Sequence, residues 1–166
     1  MGERAMPFKR PDVLIFITII GFLVLASHAR NQVWQSELSL WADAVKKSPN
    51  KDRPYCGLAT ALMVQGRNEE AGVQFANAVQ VDPNSSRANY DYGTWLSKQG
   101  KFEEAILYFL KTIGIRKFFQ AEAHNNLGYV LVQLDRRKEA QYHFGEALRI
   151  RPGFKEAKRN LGLLKQ

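Results

Sequence analysis

A single cysteine, Cys56, stands among 166 residues, which excludes an intrachain disulfide and leaves a lone thiol unable to complete a metal cluster. It reads as a small packed residue. Histidine is almost as scarce. His28, His124 and His143 have no paired spacing of the kind that zinc sites use, and no glycine-rich phosphate loop is present. No nucleophile, base and acid set stands out, so the chain reads as a non-enzyme without cofactor, metal or small-molecule substrate. Long apolar runs are missing but for one, and acidic residues are outnumbered, 16 against 24 basic.

What is present is a repeat. Leu58-Ala59, Tyr92-Gly93, Leu127-Gly128 and Leu161-Gly162 each set a small residue after a large one, at spacings of 34, 35 and 34 residues. A second small residue follows in each of three units as Ala71, Ala105 and Ala140, then an aromatic as Phe75, Phe109 and Phe144, then Ala78, Thr112 and Ala147. Pro83 and Pro152 close two units, and Pro49 closes a partial one upstream. Small residues let antiparallel helices approach closely, large ones fill the space beside them, and proline cannot extend the helix that it follows. An internal period of this length marks a helical solenoid.

In these residues the chain resembles the tetratricopeptide repeat (TPR) family, whose helix-turn-helix unit spans 34 residues. The resemblance covers residues 52 to 166 and implies an all-α solenoid of three repeats, 52–85, 86–120 and 121–154, with a capping helix over 155–166. Helix pairs are expected at Arg53–Gln65 with Asn68–Val81, Arg87–Gln99 with Phe102–Ile115, and Ala121–Leu134 with Arg137–Ile150, then a lone helix at Phe154–Lys165. Gly66 and Gly100 suit the left-handed residue that ends a helix, and Asp135 fills that place in the third unit. The middle unit lacks its proline and carries Arg116-Lys117-Phe118-Phe119 with one residue inserted, where the superhelix is expected to deviate. Residues 31–51 hold a partial repeat, with Trp41 and Ala44 on the aromatic and small positions, and read as an N-terminal cap.

Val13–Ser27 is apolar all round. It reads as a membrane-targeting helix over residues 13–30, with Val13, Ile17, Ile20, Gly21 and Val24 in the anchor, although about 20 apolar residues are the norm for a span and this run has 15. Snorkelling side chains and Trp34 near the interface extend its reach. Arg4, Lys9 and Arg10 before the run, against Arg30 after it, predict residues 1–12 in the cytoplasm and the repeats on the periplasmic or exterior side of a single-pass inner-membrane protein. Export with cleavage near Ser27 and Ala29 is the alternative.

The net charge of +8 is uneven: residues 1–30 carry +2, 31–85 carry −1, 86–120 carry +3 and 121–166 carry +4. The rising basicity suits attraction to an acidic partner or to anionic lipid, or else a solvated helical surface. No nucleic-acid-binding module is recognisable, so nucleic acid is not an expected partner.

The TPR resemblance implies that the first helix of each pair lines a concave face. Its groove positions are Cys56, Gly57, Thr60 and Met63; Tyr90, Asp91, Thr94 and Ser97; Asn125, Asn126, Tyr129 and Val132; and Arg159 and Asn160 on the cap. Tyr90, Asp91, Thr94, Asn125, Asn126, Tyr129, Arg159 and Asn160 are therefore the candidate partner-binding residues. Cys56, Tyr90 and Asn125 stand where carboxylate-clamp TPRs partly reserve places for cations, so that clamp is absent. A second resemblance, over Arg30 to Lys51 with Arg30-Asn31-Gln32-Val33-Trp34, Leu40-Trp41-Ala42-Asp43 and Ser48-Pro49-Asn50-Lys51, is to the junction of polytopic membrane glycosyltransferases with their TPR tails; it implies topology and ancestry, not transfer chemistry. The expected role is a membrane-anchored scaffold or assembly factor acting through protein contacts. A structural subunit of a larger membrane complex is one alternative, and a non-catalytic accessory to glycosylation or cell-envelope synthesis is another.

Overall fold

A computed structural model describes residues 10–33, 36–115 and 118–164. Among the described residues there are nine helices and no strand. The first two are α1 (Arg10–Val33) and α2 (Glu37–Lys47). Three antiparallel pairs follow: α3 (Asp52–Val64) with α4 (Asn68–Val81), α5 (Ser86–Lys98) with α6 (Phe102–Ile115), and α7 (Gln120–Gln133) with α8 (Arg137–Ile150). A final helix, α9 (Lys155–Leu163), packs on α7 and α8. The bounds of the second helices match the sequence expectation, while the first helices begin one residue earlier than expected.

Local chemistry sets these ends. Ser85 opens α5 by accepting a hydrogen bond from the Ala88 amide on its side chain, and Ser36 does the same for α2 through Ser39. Glu69, Glu70, Glu103, Glu104 and Glu139 place negative charge in first turns, where the helix dipole favours it. Gly66, Gly100 and Asp135 close the first helices in the left-handed region, at φ 76°, 74° and 56°. Arg116 and Lys117 lie outside the described residues. At the same junction Phe119 caps α7 with φ 61°, a conformation that a bulky residue adopts only under constraint.

The core runs the length of the array between the layers. Phe109 and Phe144 are fully buried, each contributing about 1.5–3 kcal/mol through the apolar area it removes from water. The small residues make room for them. A methyl group on Gly128 would lie 2.7 Å from the Phe144 ring, and one on Gly93 would lie 3.1 Å from Phe109, whose ring and the Tyr108 side chain supply its nearest neighbours. Trp41 of α2 lies on Gly57 of α3, and Trp95 of α5 lies on Gly72 of α4, so each ring packs where the facing helix carries no side chain.

The membrane expectation is overturned. Among the described residues no helix is long and apolar enough to cross a membrane. The physical reason is length: the 15 apolar residues Val13–Ser27 rise about 22 Å as a helix, against a hydrocarbon core of about 30 Å. A single-pass inner-membrane anchor with exported repeats is therefore withdrawn. Val13, Ile17, Ile20 and Val24 are instead exposed side chains of α1; among the described residues a methyl group on Gly21 would meet nothing within 4 Å, and α2 is the one helix that α1 touches. Residues 1–9, Trp34 and Lys165 lie outside the described residues.

Candidate functional site

The helices α3, α5, α7 and α9 succeed one another as neighbours and share one face of the array. Tyr90, Asn125 and Arg159 are equivalent positions on three of them, as are Asp91, Asn126 and Asn160, and Thr94, Tyr129 and Leu163. Because i, i+3 and i+4 share a helix face, the repeat period turns these into rows across the groove.

Five of the eight candidate residues form one polar ladder. Asn160 of α9 donates to Asn125 Oδ1 of α7 at 3.1 Å, and Asn125 donates in turn to Asn126 Oδ1 at 3.2 Å. Asn126 then donates across to α5, to the Tyr90 hydroxyl at 3.2 Å and to Thr94 Oγ1 at 3.4 Å. This ladder ties three first helices together. Asn125 is only 8 % exposed, with its amide engaged by Asn160 and Asn126.

The remaining three behave differently. Asp91 faces Arg87 at 3.5 Å and lies beside the Cys56 thiol. Burial, partly offset by Arg87, pushes its carboxyl up to about 6, and burial with the Asp91 charge pushes Cys56 up to about 12. Tyr129 is 47 % exposed beside the ladder. Arg159 is exposed on α9 and makes no ion pair or hydrogen bond among the described residues.

Two open pockets flank the ladder. One, of about 370 Å³, lies between α3 and α5, with Met63, Val64, Phe75 and Trp95 as apolar walls and Asp91 and Lys98 at its edge. The other, of about 280 Å³, lies between α7 and α9, with Tyr129, Val132, Phe144 and Leu163 as walls beside Asn160 and Arg137. Gly57, a predicted groove position, is covered by Trp41 instead. Among the described residues no group of three or more metal-ligating side chains gathers anywhere.

Sequence spacing did not reveal two contacts near the groove. Phe119 stacks on Tyr90 with ring centroids 4.9 Å apart and planes 6° from parallel, which holds its left-handed backbone in place. His124 and His143, nineteen residues apart, meet across α7 and α8. The inserted Phe118-Phe119 pair was a visible signal for the first, and nothing local signalled the second.

Residues 121–154, the α7–α8 pair, match the tetratricopeptide repeat family model. The fold is that of a TPR array. Solved structures agree over most of the chain. PilF of Pseudomonas aeruginosa is 21% identical with a TM-score of 0.72, covering 86% of this chain and 64% of that one. MamA from Desulfovibrio magneticus RS-1 is 19% identical with a TM-score of 0.68, covering 77% and 72%. The first TPR of Spaghetti (RPAP3), solved bound to the HSP90 peptide SRMEEVD, is 18% identical with a TM-score of 0.66, covering 70% and 91%. At such identities the likeness establishes the TPR fold. No curated protein matches the chain. These comparisons do not show the junction resemblance to membrane glycosyltransferases.

Proposed function

We propose that this TPR array binds a segment of a partner protein along its concave face and so acts as a scaffold or assembly factor. The observation that carries the reading is the pairing of a rigid polar ladder, Asn160 to Tyr90, with two open apolar pockets on the same face. Such a surface gives few convergent polar groups and much apolar area, which is how preformed protein sites take ligands. The peptide-bound Spaghetti TPR supports the same use of the fold.

A second reading, a stably bound subunit of a larger complex, is supported by α1. Eleven of its residues between Val13 and Leu25, all but Thr18 and Gly21, are exposed apolar groups, and exposed apolar area of this kind suits a protein contact.

The test is a photo-crosslinking amino acid placed singly at Tyr129, at Tyr142 on α8 outside the groove, and at Phe22 in α1. Partner crosslinks confined to position 129 support the groove. Crosslinks confined to position 22 support the subunit reading, and crosslinks only at 142 overturn both.

A further inference from the structure

We propose that the groove selects an acidic, extended peptide segment with two apolar anchor side chains five or six positions apart, one anchor in each pocket. This rests on the groove reading above and adds the ligand's chemistry and spacing.

The pockets exist where they do because of the ladder. Asn126 reaches from α7 to Tyr90 and Thr94 and draws α5 and α7 together, filling the space between them with polar groups. Between α3 and α5 the links lie toward the start of the helices, where Ser85 donates to Asp52 at 2.6 Å and the Cys56 thiol faces Asp91, while further along Thr60 bonds its own Cys56 carbonyl at 2.9 Å. There Met63, Val64 and Trp95 leave an apolar opening. Between α7 and α9 the link is made at Asn125 and Asn160, one turn before Tyr129 and Leu163, and the second opening lies beyond it. The two pockets are thus separated by two steps between neighbouring first helices. Packed helices sit about 8–10 Å apart, so the pockets lie about 16–20 Å apart. An extended chain advances about 3.3–3.6 Å per residue, which places the second anchor five or six positions after the first. The residues between them cross the ladder, whose amides are already paired, and no anchor is accepted there.

Charge decides the rest of the ligand. Lys98 lines the first pocket and Arg137 the second, while exposed Arg159 follows on α9. The one carboxylate in either lining, Asp91, is held by Cys56 and Arg87. Among the described residues the ion pair of Arg137 is with Asp135, at 3.8 Å and almost fully exposed. The free charge along the groove is positive, so carboxylates flanking the anchors are favoured.

The experiment uses the full chain and fluorescein-labelled twelve-residue synthetic peptides in a Ser/Glu background. Each carries two Phe anchors 3, 5, 6 or 9 positions apart; controls have a single Phe, or Lys in place of Glu. Fluorescence anisotropy should show the 5 and 6 spacings binding about tenfold or more tighter than the others. Val64→Lys and Leu163→Lys, at side chains 80% and 61% exposed, should each abolish that preference without shifting the melting temperature. Equal affinity at every spacing, lost on Thr94→Lys, overturns the two-anchor inference and leaves the groove reading standing. Tighter binding of the Lys peptides overturns the charge selection. Failure of every peptide, with partner crosslinks still formed at position 129, overturns the inference alone; failure without them overturns both. A concentration-dependent dimer in sedimentation that the peptides compete away makes a second copy the occupant and overturns the inference.

Discussion

His124 and His143 meet Nδ1 to Nδ1 at 2.9 Å where α7 packs on α8. One ring must donate while the other accepts, so the contact holds only while at least one imidazole is neutral. Burial pushes His143 down to about 4, reinforced by His124 and Arg136 and opposed by Glu139 and Glu146. Burial also lowers His124, with Arg149 reinforcing and Glu146 opposing. Asp91 has the opposite shift, up to about 6.

The pH dependence of stability follows from these signs. A histidine whose folded pKa lies below its unfolded value of about 6.5 leaves stability intact above that pH and removes it as pH falls toward about 4. An aspartate whose folded pKa is raised weakens the fold at neutral pH, and stability returns as pH falls through about 6. Each effect amounts to about 1 kcal/mol between pH 7 and pH 5, with the histidine share reduced because solvent reaches the ring. The wild-type protein is therefore expected to show a shallow profile over that interval. Asp91→Asn should expose an acid-side loss of about 1 kcal/mol, and His143→Gln should turn the profile into an acid-side gain. Urea denaturation at pH 7 and pH 5 checks both. Parallel profiles for all three proteins would remove the assignment.

Glycines in this array are not equivalent. A methyl group at Gly128 meets a Phe144 ring that is 1 % exposed and cannot move aside, whereas one at Gly145, on α8, meets nothing. Gly128→Ala should destabilise by about 1–3 kcal/mol through overpacking. Gly145→Ala should stabilise by about 0.5–1 kcal/mol, because alanine loses less backbone entropy in a helix. Thermal melts of the two variants should move in opposite directions.

The elements most legible in the sequence were those with chemistry at both ends. Helices α4, α6 and α8 are bounded by a left-handed residue before and a repeat junction after, and their spans follow from the spacing of Ala71, Phe75 and their equivalents. The apolar character of α1 was equally plain, but its length was the deciding quantity and falls short of a span. Repeat equivalence placed Asn125 on the groove row, yet a row does not reveal that α9 closes over it. The His124–His143 contact arises only when α8 folds back on α7, so no local spacing encodes it.

Asp135 occupies a left-handed position at φ 56° that Gly66 and Gly100 fill in the earlier repeats. A Cβ there carries a steric cost of about 1–2 kcal/mol, partly offset for aspartate by its short polar side chain. Its carboxylate is nearly fully exposed and 3.8 Å from Arg137, so little is lost with it. Asp135→Gly should raise stability by about 0.5–1 kcal/mol, and Gly100→Ala should lower it by about 1 kcal/mol. Chemical denaturation of the two single variants checks the sign of each.

The two adjacent asparagines of α7 have separable roles. Asn125 is buried and accepts from Asn160, so Asn125→Ala leaves the α9 amide without its partner and opens a small gap beneath the last helix. That change should cost about 1–3 kcal/mol, the penalty of stranding a desolvated polar group. Because a solenoid unit contacts only its neighbours, the loss should fall on α9 and the end of α7, while α3 to α5 keep their protection. Asn126 is half-buried and joins α7 to α5, so Asn126→Ala removes bonds worth about 0.5–1.5 kcal/mol and loosens the middle of the groove instead. Amide hydrogen exchange followed by mass spectrometry distinguishes the two. Faster exchange should appear in Lys155–Leu163 for the first variant and across the facing turns of α5 and α7 for the second. Equal acceleration along the whole array in both variants would show that the ladder acts on global stability, and that its two halves do not hold separate helix pairs.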